Sequence, residues 1–274
     1  LTLSGAGDFV NTNNLTLNDS ASSLKLNGIS KISKVSVSAE DITGKLEITE
    51  DSIIETFSHS GSSRIDIADT KTLTLNNAFE IPSGKSMELP GMGGGTLSLS
   101  DKLTLSGTLE VNASDTIKDG TLSLNGGTLE INQDVSIESE LLHEASSEVS
   151  VASGKVLTYS GAALDIDMFE LTLSGEGTVS STNIFNLNNE SSVLSFNGIK
   201  QISNVAVSAE MTSGILNVGS DTIIETLAHT GSSRIDISND ITLTVLGSID
   251  VPQNKSMEFV GTDNGTLNLG DSLN

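Results

Sequence analysis

The sequence predicts an all-β chain: a single-chain parallel β-solenoid, wound as a triangular β-helix with about 21 residues per coil and eight coils per 170-residue repeat. Three observations predict it. Residues 171–274 align without a gap onto residues 1–104 at a constant offset of 170, with 52 of 104 positions identical. Triplets of the form apolar–polar–apolar recur at steps averaging about 21 residues. Each step holds more than one such triplet, separated by turn residues.

The long repeat sets the organisation. Gly61-Ser62-Ser63-Arg64-Ile65-Asp66-Ile67 returns as Gly231-Ser232-Ser233-Arg234-Ile235-Asp236-Ile237, and Lys85-Ser86-Met87-Glu88 returns as Lys255-Ser256-Met257-Glu258. Residues 1–170 therefore form a first repeat unit, and residues 171–274 a partial second unit continuous with it. The chain opens on Leu1-Thr2-Leu3-Ser4-Gly5, already a strand-like pattern without a starting Met or signal peptide. It reads as a segment of something longer or a processed product, with further repeats beyond at least one end.

The finer period gives the coils. One series of triplets starts at Leu1, Leu24, Leu46, Ile65, Met87, Leu109, Leu129, Val149 and Leu171, with steps of 19 to 23 residues. Alternation at period two is the pattern of a strand with one face buried. The step from Ile65 contains Ile65-Asp66-Ile67, Leu73-Thr74-Leu75 and Phe79-Glu80-Ile81, three short strands and hence three sides. Asn27-Gly28, Asn125-Gly126 and Asn197-Gly198 mark corners. About thirteen coils stacked at the strand spacing of ~4.8 Å would extend roughly 60 Å. A string of β-sandwiches would also alternate, but it gives Leu no reason to recur at matching points of consecutive steps.

Composition removes several classes of function. With 36 Asp and Glu against 13 Lys and Arg, the net charge is -23, which leaves nothing to neutralise a nucleic-acid backbone or to seek an anionic membrane. No apolar run approaches the ~20 residues of a membrane helix. Cys is absent, which removes disulfides and thiolate chemistry. One Tyr and no Trp leave little for stacking on sugars.

The phrases Leu-Thr-Leu-Ser-Gly, Gly-Gly-Thr-Leu-Glu-Ile and Ser-Leu-Asn-Gly resemble the β-solenoid stalks of bacterial autotransporter passengers and filamentous-haemagglutinin-like adhesins. That resemblance implies an extracellular or cell-surface location and a structural or adhesive role. The terminal triplets Leu1-Thr2-Leu3 and Leu267-Asn268-Leu269 are ordinary coil triplets, so the expected partners are further copies end to end or further repeats of the same chain.

The outward residues of the first series form their own row. Glu47, Asp66, Glu88, Glu110 and Glu130 fall on five consecutive coils, ~4.8 Å apart. Such a row is either a Ca²⁺ ladder, since that cation takes oxygen ligands, or a solvated acidic face that keeps a scaffold soluble. In the second repeat Glu47 becomes Asn217 while Asp236 and Glu258 persist, which favours the solvated face. His59 and His229 are repeat equivalents and read as corner turns with a local salt bridge from Arg64 or Arg234; a general base beside an anion-holding Arg is the catalytic alternative. His143 reads as a surface residue. Gly84-Lys85-Ser86 lacks the upstream Gly of a phosphate loop, because Phe79 stands there. The outward rows mix Thr with charged residues, which excludes an ice-binding face. The expected function is a structural rod or filament that is not an enzyme. A Ca²⁺- or glycan-binding adhesive module is the runner-up, and a polysaccharide-acting enzyme on the same scaffold comes third.

Overall fold

The computed structural model describes residues 1–19, 21–40, 44–90, 93–209, 214–260 and 264–274. The regular elements among them are β-strands, and the ladders between successive strands are parallel. Contacts divide the chain into two units, Leu1–Glu140 and Leu141–Asn274. The division falls inside the first sequence repeat, because coils pack by nearest neighbours and the end of a repeat leaves no seam. Both units are parallel β-solenoids.

In the first unit, one side is built from Thr2–Phe9, the start of Ser23–Val37, Lys45–Ile48, Ser63–Ile67, Ser86–Leu89, Thr108–Val111 and Thr128–Ile131. A second side carries Thr72–Leu75, Thr96–Leu99, Thr116–Lys118 and Val135–Ile137. A third carries Leu15–Leu17, Phe79–Ile81, Lys102–Leu105 and Thr121–Asn125. In the second unit the first side runs Ser147–Val151, Glu170–Ser174, Val193–Asn197, Ile215–Val218, Ser233–Ile237 and Met257–Phe259.

The interior is aliphatic and stacked in register. Leu24 lies over Leu46, Met87 over Leu109 and Leu109 over Leu129. Leu46, Met87, Leu109 and Leu129 are wholly buried. Each such side chain contributes about 1.5–3 kcal/mol by leaving water. Aromatic residues join this interior: Phe57 packs edge-on against Phe79 at 5.0 Å, and the single Tyr, Tyr159, is buried 6.0 Å from Phe185.

Two features differ from the expectation of three short strands with matched triplets. First, Ser23–Val37, Ser52–His59, Gln201–Val207 and Thr222–His229 turn a corner without breaking. In each, two successive residues stay out of the core: Ser33-Lys34, Glu55-Thr56, Ser203-Asn204 and Glu225-Thr226. Skipping one inward position rotates the next side of the coil inward, so the bend needs no loop. Second, the register slips by two residues at three places, two of them repeat equivalents. Met87 lies over Ser63 rather than Ile65, Leu173 over Val149 in place of Leu171, and Met257 over Ser233 rather than Ile235. A one-residue slip would turn the core outward, but a two-residue slip keeps the same face of each strand toward the interior.

Asn side chains stand in for main chain at some corners. The Asn77 amide accepts from Phe57 N at 2.6 Å and donates to Phe57 O at 2.9 Å. Asn11 accepts from Lys34 N at 3.1 Å and donates to Lys34 O at 2.7 Å. Each amide thus completes the pair of bonds that a strand residue would make, where the strand itself has ended.

Candidate functional site

The acidic row on the first side of the first unit is two groups rather than one file. Thr2, Lys25, Glu47 and Asp66 follow one another on successive strands. Lys25 Nζ lies 3.2 Å from Glu47, and Lys45 Nζ bridges Glu47 at 3.1 Å and Asp66 at 3.3 Å. The hydrogen bond from Lys45 holds the Glu47 carboxyl below its ordinary range, and the same bond raises Lys45. On the next strand the two-residue slip places Glu88 opposite Arg64, not opposite Asp66, with Arg64 Nη1 3.9 Å from Glu88.

Glu88, Glu110 and Glu130 then do stand in register on consecutive strands. Partial burial, followed by the charges of Glu130 and Glu88, pushes the Glu110 carboxyl up. Amides flank this group: Asn112 Nδ2 donates to Glu88 Oε1 at 2.9 Å, and Asn132 Nδ2 donates to Asn112 Oδ1 at 2.8 Å. These amides occupy positions next to the carboxylates and carry no charge into the row. A five-carboxylate calcium ladder needs one continuous file. Among the described residues, no group of three or more His, Asp or Glu side chains is arranged to hold a metal ion.

The histidines sit inside the coil. His59 is buried, with Nε2 2.9 Å from Ser63 Oγ, and His229 repeats the arrangement with Ser233 at 2.8 Å. Nδ1 of each is buried without a hydrogen-bond partner among the described residues. Burial lowers His59 to about 4 and lowers His229 as well, so both imidazoles are neutral near neutral pH. Each histidine ends a strand instead of lying in the corner turn expected from sequence, and the neighbouring arginines pair elsewhere: Arg64 reaches Glu88 and Arg234 reaches Asp236. The Ser–His pairs resemble a nucleophile with its base. However, Ser63 is 1% exposed and Ser233 is 0% exposed, which leaves no surface for a substrate. His143, expected at the surface, is 4% exposed and packs edge-on against Phe169 at 6.0 Å. Its flanks Leu142 and Glu144 point outward, so strand alternation turns it in.

Sequence reasoning passed over Asp115. This carboxyl is 3% exposed and accepts Gly95 N at 3.0 Å. Burial pushes it up to about 6, helped by Asp66 and Asp69 and opposed by the Gly95 bond. The segment Asn112-Ala113-Ser114-Asp115 reads as an ordinary polar corner, and nothing in it marks an inward carboxyl.

Comparisons with protein-family models, curated proteins and solved structures find no match to this chain.

Proposed function

We propose that the chain is part of an extracellular structural filament or surface stalk, whose neighbours are further repeats of the same chain or further copies joined end to end. The observation that carries this reading is the unbroken stack within each unit. Successive coils exchange main-chain hydrogen bonds on every side, and a continuous aliphatic interior runs beneath them. Such a stack resists bending and denies a protease the extended, unpaired backbone it needs. The net charge of -23 keeps the outer rows hydrated and discourages side-by-side association. The buried Ser–His pairs fit this scaffold role, since they recur with the 170-residue repeat rather than at one irregular insertion. The resemblance to adhesin stalks supports the location. Negative-stain microscopy of the native assembly tests the proposal: narrow unbranched fibres or stalks are expected, and isolated globular particles would overturn it.

A further inference from the structure

The first side of the second unit differs from that of the first at matched repeat positions. Lys25, Lys45 and Glu47 are replaced by Ser195, Ile215 and Asn217, whereas Arg64 and Asp66 persist as Arg234 and Asp236. In the first unit, the two lysines lie across neighbouring strands and tie Glu47 and Asp66 together. In the second unit, that space is a groove of about 530 Å³, lined by Glu170, Ser195, Asn197, Asn217, Arg234 and Asp236 among others. The volume falls within the ~300–1,000 Å³ of small-ligand clefts. The groove crosses strands on which Thr172, Ser195, Asn217 and Asp236 are successive register partners.

The chemistry of the lining selects the ligand. Ser195 Oγ donates to Glu170 Oε1 at 2.6 Å, and Asn217 Nδ2 donates to Ser195 Oγ at 3.3 Å. Arg234 turns back onto its own strand and grips Asp236 through Nε at 2.9 Å and Nη2 at 2.8 Å. Beyond these bonds, the two carboxylates accept further hydrogen bonds, while the amide and guanidinium donate further ones. Acceptors and donors therefore stand side by side across neighbouring strands, ~4.8 Å apart. An anion meets Glu170 and Asp236 on a chain of charge -23. A metal ion lacks a ligand set among the described residues. A hydroxyl both donates and accepts, so a run of hydroxyls satisfies such a lining without bringing charge.

We propose that this groove binds a neutral polysaccharide laid along the stack of strands. Binding by one groove is independent of the proposed filament, and only the avidity of repeated grooves rests on that reading. Phe196 lies beneath the groove at 1% exposure and offers no stacking face, so one site binds weakly and repeated sites along a fibre supply avidity.

Affinity electrophoresis through gels containing dextran, galactomannan or laminarin, with polygalacturonate as the acidic comparison, tests the site. Retardation by at least one neutral polymer is expected, and none by polygalacturonate. The double variant Ser195→Lys/Asn217→Glu rebuilds the first unit's Lys25–Glu47 ion pair in the groove. It should bind about tenfold more weakly, the loss of two or so hydrogen bonds, at an unchanged melting temperature. If that variant unfolds, Asn217→Ala and Arg234→Lys report on the same contacts singly and should each weaken retardation. Free passage through every neutral gel, preference for polygalacturonate, or undiminished binding by these folded variants would overturn the inference.

Discussion

The two-residue slip between Ser63–Ile67 and Ser86–Leu89 makes a sharp distance prediction. Partners directly across parallel strands lie ~4.8 Å apart, and a residue two places along adds ~6.6 Å at right angles, for a separation of about 8 Å. Arg64 is the direct partner of Glu88, and Asp66 is the displaced one. A disulfide needs Cα atoms within about 7 Å. The chain has no cysteine, so introduced pairs react without background. Arg64→Cys/Glu88→Cys should therefore oxidise readily in the folded protein, as read by peptide mapping under non-reducing conditions. Asp66→Cys/Glu88→Cys should stay reduced at the same oxidant concentration. Preferential closure of the Asp66 pair would restore the register expected from the aliphatic triplets alone and refute the broken row.

Three further outcomes follow from buried or crowded groups. The unfolded chain takes up a proton on His59 near its ordinary 6.5, while the folded chain resists until about 4. Its contribution to stability is therefore intact above pH 6.5 and falls by up to about 3 kcal/mol as the pH drops to 4. Asp115, raised from 3.8 to about 6, works the other way: it stabilises at acid pH and that contribution fades as the pH rises toward 6. Denaturant titrations of His59→Gln and Asp115→Asn against the parent across pH 4–7 should show differences of opposite slope. A Cβ on Gly61 would sit 2.1 Å from Ala39 O, with the carbonyl carbon of Ser38 also in the way. Gly61→Ala should cost about 2–3 kcal/mol by overpacking, whereas Gly84→Ala, in open space at φ +73°, should cost about 1 kcal/mol from backbone strain alone. Glu110→Gln removes the middle charge of the Glu88–Glu110–Glu130 group and should raise stability by about 1 kcal/mol at low salt. That gain should shrink as salt is added, as followed by thermal melts.

The coil was legible in the sequence because its two strongest signals are geometric. Period two fixes which side chains of Leu103–Leu105 or Leu122–Leu124 point inward, and the recurring step fixes that one strand lies over the other. The slip at Ser63 was hidden, because Ile65 and Ser63 share an orientation and the hydrophobic pattern scores both registers alike. Ser63 also enters the interior and meets His59, an interaction between two residues that an aliphatic template leaves out. The continuous corners were hidden for a related reason, since two polar residues in succession read as a turn between strands as readily as a bend within one. On the acidic row, the outward direction of all five residues was legible. Their association was not legible, because it depends on register to within two residues.

The corner asparagines give the scaffold an ageing chemistry. Asn77 holds both the N–H and the C=O of Phe57, so hydrolysis of its amide to Asp would exchange a donor for a second acceptor. The new carboxylate would face the Phe57 carbonyl with nothing to offer it, and one rung would open beside a packed aromatic pair. A solenoid built this way would loosen first at such corners, one deamidated asparagine at a time, while the aliphatic interior has no side-chain amide to lose.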